Sequence, residues 1–126
     1  MKLRILGNTI RLRLSQTEVE QMRHRGRVEH SIEFGPVPEQ QLRYTLVADS
    51  SCARMQATFE GRSITVSIPA AEVDHWACSD QVGLQAQQPI DDQRSLEILV
   101  EKDFQCLEPR RGEEDYDGFP NPKATC

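Results

Sequence analysis

The stretch Gly7-Asn-Thr-Ile-Arg-Leu-Arg-Leu-Ser-Gln-Thr-Glu-Val-Glu20 lies without a gap over Gly61-Arg-Ser-Ile-Thr-Val-Ser-Ile-Pro-Ala-Ala-Glu-Val-Asp74 when the chain is slid against itself by 54 residues. The same offset carries on: Arg27-Val28 meets Gln81-Val82, Gln41-Leu-Arg-Tyr-Thr-Leu46 meets Ser95-Leu-Glu-Ile-Leu-Val100, Asp49 meets Asp103 and Cys52 meets Cys106. Nine identities in 54 positions would be thin support alone, but the apolar positions coincide as well. Ile5 falls on Phe59, Ile10 on Ile64, Leu12 on Val66, Leu14 on Ile68, Met22 on Trp76, Val28 on Val82, Leu42 on Leu96, Tyr44 on Ile98 and Leu46 on Val100. A slip of one residue would turn every inward strand side chain outward, so this agreement identifies an internal duplication. Repeat one is 1–54 and repeat two is 55–108.

Both repeats share one grammar. A short alternating segment reaches a Gly turn (Gly7-Asn8, Gly61-Arg62), and a second strand leaves it with Ile10, Leu12 and Leu14 on one side and Arg11 and Arg13 on the other, the period-two signature of a half-buried strand. A helix follows. Ser15-Gln-Thr-Glu18 has the spacing of a capping box, and Pro69 stands where a helix start tolerates its missing N–H. Val19 with Met22, and Val73 with Trp76, set an apolar stripe at helical spacing, and Gly26 is placed for a left-handed cap. Two further strands complete the unit, Val28, His30, Ile32 and Phe34 sharing one face and Leu42, Tyr44, Leu46 and Ala48 another. Their counterparts in repeat two are Val82, Leu84 and Ala86, then Leu96, Ile98 and Val100.

The fold class expected is α+β, mostly β. Two ββαββ repeats pack pseudo-symmetrically around one core as a small barrel or sandwich, in a single domain over 1–126. Each unit is too small to bury its sheet face alone. Residues 109–126 fall outside the duplication and are too rich in proline, glycine and charge for a helix or central strand; the expectation is a lid that packs Tyr116 and Phe119 over a barrel end or open edge.

Composition bounds the function. With 37% hydrophobic and 28% charged residues, and no apolar run long enough to span a bilayer, the chain reads as a soluble globular domain with no membrane role. The opening Met-Lys-Leu-Arg-Ile-Leu-Gly lacks the apolar core of a secretory signal, so the expected location is cytoplasmic, with the four cysteines free. Charge is lopsided: residues 1–54 carry nine Lys/Arg against six Asp/Glu, residues 55–126 six against fourteen. A local basic face can meet an anion whatever the net charge, although a pI near 5.2 disfavours nucleic acid as the partner.

Strand, Gly turn, strand ending in Ile68-Pro69, short helix, then Ser79-Asp-Gln-Val82 entering a strand resembles the AbrB/MazE-type swapped-hairpin unit, which the MraZ type carries twice in one chain. The resemblance covers residues 1–108 and implies the fold; for function it implies a DNA-binding regulator. The whole chain also resembles a family of small bacterial proteins of unknown function, through its opening Lys-x-Arg-Ile-x-Gly-Asn-x-Ile-Arg-Leu-Arg-Leu, the Glu18-Val-Glu helix and the ending Leu-Val-Glu-Lys-Asp-Phe-Gln-Cys-Leu…Phe-Pro-Asn-Pro. That second resemblance implies no activity.

No Gly-x-Ser-x-Gly, phosphate loop, His-Glu-x-x-His or dinucleotide fingerprint is present. The reading is therefore a non-catalytic binding or adaptor domain without a cofactor, acting through the lid and a basic face on an acidic protein partner or small anion. Arg110, Arg111, Asp117 and Asn121 are the ligand-binding candidates, and Arg11, Arg13, Arg23, Arg25 and Arg27 form the basic face. The first alternative is the swapped-hairpin DNA regulator using those same five arginines. The second is a zinc site from His75, Cys78, Cys106 and Cys126, of which His75 and Cys78 share a helix face. His30, on its strand's apolar face, is expected to be a packed core histidine, and His24 to face solvent.

Overall fold

The hairpin expected at Gly7-Asn8 forms: β1 (Lys2–Leu6) runs antiparallel to β2 (Thr9–Leu14), with Leu6 opposite Thr9 across the turn. The computed structural model describes residues 1–104 and 117–120. Gly7 takes φ 56° and its counterpart Gly61 φ 59°, left-handed values that a two-residue hairpin needs and that glycine adopts without a Cβ clash. The helix α1 (Gln16–Arg25) opens on the capping box: the Glu18 N–H donates to Ser15 Oγ at 3.3 Å and the Ser15 N–H to Glu18 Oε1 at 3.0 Å. Gly26 closes it at φ 70°, donating its N–H to Met22 O at 2.9 Å.

β3 (Arg27–Glu33) and β4 (Gln41–Asp49) follow, joined over a short 3-10 turn at Pro38–Gln40. Repeat two mirrors this order with β5 (Gln56–Glu60), β6 (Ser63–Pro69), α2 (Ala70–Cys78), β7 (Gly83–Pro89) and β8 (Ser95–Lys102). α2 has no side-chain cap at Pro69, but Trp76 anchors it, its Nε1 donating to Val82 O at 3.0 Å.

The repeats exchange hairpins. Sheet I has the order β1-β2-β8-β7 and sheet II the order β3-β4-β6-β5, so each joins the hairpin of one repeat to the last two strands of the other. The middle pair of each sheet is parallel. Ile10 lies opposite Ile98 and Leu12 opposite Val100; in sheet II, Ile64 lies opposite Tyr44 and Val66 opposite Leu46. These are the same register once the 54-residue offset is applied. The architecture is a two-sheet sandwich rather than a closed barrel, with α1 and α2 packed on each other at the end where β2 and β6 finish.

Leu12, Leu14, Leu46, Val66, Ile68, Ile98 and Val100 fill the space between the sheets, while Val19, Met22, Val73 and Trp76 are buried beneath the helices. Each large apolar side chain buried this way contributes roughly 1.5–3 kcal/mol. Met1 and Met55, at the same repeat position, are both buried, a pair that periodicity alone did not single out.

Four expectations about the apolar faces are corrected. Ile5 and Phe59 are 63% and 69% exposed, at the hairpin ends where the sheets part. On β3 only Val28 is buried; Ile32 and Phe34 are exposed, because β3 is an edge strand and alternation assigns a face without assigning cover to it. His30 is likewise not a core histidine: it is exposed, with Nε2 3.1 Å from Glu18 Oε2 and its ring tilted against Tyr44. Val82 is exposed too and precedes β7.

Candidate functional site

Strand alternation places Leu3, Ile10 and Leu12 toward the core and Lys2, Arg4, Arg11 and Arg13 on the outer face of sheet I. The hairpin register sets Arg4 directly opposite Arg11 and Lys2 directly opposite Arg13. Like charges so placed repel and weaken a sheet. Few carboxylates answer them. Glu101 of β8 is shared, 3.6 Å from Arg11 Nε and 3.7 Å from Arg13 Nε, and Asp103 lies 2.9 Å from Lys2 Nζ. Among the described residues Arg4 has no carboxylate partner. Glu97, also on this face, is engaged by Gln85 Nε2 at 2.9 Å and by the Thr9 hydroxyl at 3.4 Å. Four cations thus meet three carboxylates on this face, and the excess of positive charge lies on the β1–β2 side. Sheet II gives the comparison: the positions equivalent to Lys2, Arg4, Arg11 and Arg13 hold Gln56, Thr58, Thr65 and Ser67 in the same hairpin register.

The five arginines of the expected basic face are divided. Arg11 and Arg13 stand on sheet I, joined by Lys2 and Arg4, which composition did not single out. Arg23 and Arg25 are on α1, Arg23 facing Glu20 at 3.4 Å, and Arg27 is on β3 with Glu29 at 2.8 Å. The Arg27 guanidinium holds the Glu29 carboxyl below the usual carboxylate range despite some burial, with the Thr45 hydroxyl helping. His24 is exposed beside Glu20, as expected.

Of the tail candidates, Asp117 lies at the start of α1. The Thr17 N–H donates to its Oδ2 at 3.0 Å, the Thr17 hydroxyl donates to the same oxygen, and the Gln16 N–H donates to its backbone carbonyl at 3.1 Å. Those donors hold its carboxyl below the usual range, and the negative charge suits a helix N-terminus. Phe119 is half-buried against the core beside Phe104, its N–H donating to Asp103 O at 2.7 Å, so this part of the expected lid packs down. Beneath it Lys102 is buried, Nζ donating to Ser79 O at 2.7 Å and lying 5.7 Å from the Phe119 ring and 6.0 Å from the Trp76 ring; burial pushes its amine down. Arg110, Arg111, Tyr116 and Asn121 lie outside the described residues.

For metal, His75 and Cys78 are on α2, while Cys106 and Cys126 lie outside the described residues. Among the described residues no three His, Cys, Asp or Glu come together as a metal site. Cys52 is half-buried, and Cys78 is an exposed free thiol.

Between the two hairpin ends lies a groove of about 330 Å³, walled by Ile5, Ile10, Phe59, Ile64 and Leu96. No titratable side chain among the described residues lines it. Two of its polar side chains are engaged: Gln88 Oε1 accepts from the Ala57 N–H at 2.7 Å, Gln88 Nε2 donates to Ala57 O at 2.8 Å, and Asn8 Nδ2 donates to Ser95 O at 2.7 Å. The groove can seat an apolar group.

No helix among the described residues is long and apolar enough to cross a membrane. Residues 1–123 match the model of a family of unknown function, DUF7009, and the chain belongs to that family. No similar curated protein and no similar solved structure is found.

Proposed function

We propose that this member of a family of unknown function is a non-catalytic binding domain that takes an acidic protein partner on the outer face of sheet I. One observation carries the reading. Lys2, Arg4, Arg11 and Arg13 occupy positions where the second hairpin, on the same backbone, carries Gln56, Thr58, Thr65 and Ser67. The duplicated scaffold thus does without cations there. Glu101 and Asp103 answer part of that charge, and carboxylates of a partner would answer the rest. The overall charge of −5 does not oppose this, because the local field governs encounter.

The test replaces three of the cations by their repeat-two counterparts, Arg4→Thr, Arg11→Thr and Arg13→Ser together. The wild type is expected to bind polyglutamate with an affinity that falls as salt rises. The variant should bind about tenfold more weakly or worse, while keeping its fold. Equal binding by the two proteins, or none by the wild type at low salt, overturns the proposal. Tighter binding of duplex DNA than of polyglutamate at the same salt replaces it with the nucleic-acid reading.

A further inference from the structure

The duplication exposes a difference between the two seams of the sandwich. At one seam β5 and β7 come together, and the Gln88 side-chain amide makes both backbone-type hydrogen bonds to Ala57. Gln88 acts there as one residue of an added strand, filling the β5 edge. The counterpart of Ala57 is Leu3, and that of Gln88 is Phe34. Phenylalanine can make neither bond, and Phe34 stands 73% exposed.

β1 is therefore an open edge among the described residues, paired only with β2. Because Ala57 turns its N–H and C=O outward to Gln88, Leu3 at the equivalent position does the same, and so does Ile5 two residues on. Among the described residues nothing bonds to either.

We infer that the β1 edge takes an extended segment of a partner protein, alternating acidic and apolar residues, as a fifth strand of sheet I. The inference rests on the binding role proposed for the cationic face and specifies how the partner engages it. Side chains of the added strand would alternate between the outer face, beside Lys2 and Arg4, and the inner face, beside Leu3 and Ile5. Charge selects the occupant. A second copy adding through its own β1 would set Lys2 and Arg4 against Lys2 and Arg4, so self-pairing is opposed.

The probe is a blocked octapeptide of alternating glutamate and valine, titrated into the isotope-labelled full chain. On saturation the Leu3 and Ile5 amides should become protected from hydrogen exchange. N-methylating the peptide nitrogens that face β1 should weaken binding about tenfold, and Phe34→Gln, which installs the counterpart of the Gln88 clamp, should weaken it as well. Suppose the peptide binds and the three-arginine variant loses it, yet Leu3 and Ile5 gain no protection and N-methylation costs nothing. Strand addition then fails while the cationic-face reading survives. If polyglutamate binds and the alternating peptide does not, strand addition fails again. If the peptide binds the three-arginine variant as tightly as the wild type, the acidic-partner reading fails and this inference with it. A dimer formed through β1 in the free protein overturns the choice of occupant.

Discussion

Glu18 shows how far one side chain reaches in this fold. It closes the capping box with Ser15, pairs with the Met1 amine and faces His30 across the gap between α1 and β3. Burial pushes its carboxyl up, but the Met1 amine and the Ser15 amide and hydroxyl outweigh burial and hold it below the usual range. A carboxyl depressed in the folded state contributes stability above its unfolded pKa, and that contribution is lost as pH falls through the folded one. Glu18→Ala should therefore cost about 1 kcal/mol at neutral pH, and its deficit against wild type should shrink on acidification below the ordinary carboxylate range. Urea unfolding at the two pH values measures both; equal stability at neutral pH contradicts the assignment. The Ser15–Glu18 half of this arrangement was legible, since both residues are local and their spacing has one common meaning. The His30 half was not. Its phase with Val28 suggested burial, and only the tertiary placement of α1 beside an edge strand brings it to Glu18.

At the scale of elements, hairpins, helices and their order follow from turn glycines, period-two alternation and caps, all short-range signals. Strand neighbours do not. Alternation says which face of β2 is inward without saying that β8, from the other repeat, lies beside it, so the pairing of Ile10 with Ile98 needed the structure. Gln88 left a signal that was readable: it is in phase with the inward-facing Leu84 and Ala86, a polar residue where the pattern calls for an apolar one. Its amide serves the backbone of β5. Gln88→Ala should leave the Ala57 N–H and C=O without that partner, cost roughly 1–2 kcal/mol and speed hydrogen exchange at the Ala57 amide. Unchanged exchange at Ala57 would show that Gln88 does not hold that seam.

For the whole molecule, exchange of hairpins makes each sheet a composite of both repeats, and that composite turns an internal duplication into an internal control. The outer faces of the two hairpins share backbone and register and differ in what they offer: Lys2, Arg4, Arg11 and Arg13 on sheet I, beside Glu97 and Glu101 of β8, against Gln56, Thr58, Thr65 and Ser67 on sheet II, beside Arg43 of β4. Arg11 and Arg13 were legible as outward residues of one strand. Lys2 and Arg4 join them through the β1–β2 register, and Arg23, Arg25 and Arg27 fall elsewhere because helix α1 and strand β3 leave sheet I. The most direct test of an acidic-partner surface is an amide chemical-shift map of the wild-type chain titrated with polyglutamate at low salt. Perturbations gathered on Lys2, Arg4, Arg11 and Arg13, with Gln56, Thr58, Thr65 and Ser67 unmoved, are the predicted result. Perturbations spread equally over both hairpins, or confined to residues away from sheet I, would contradict it.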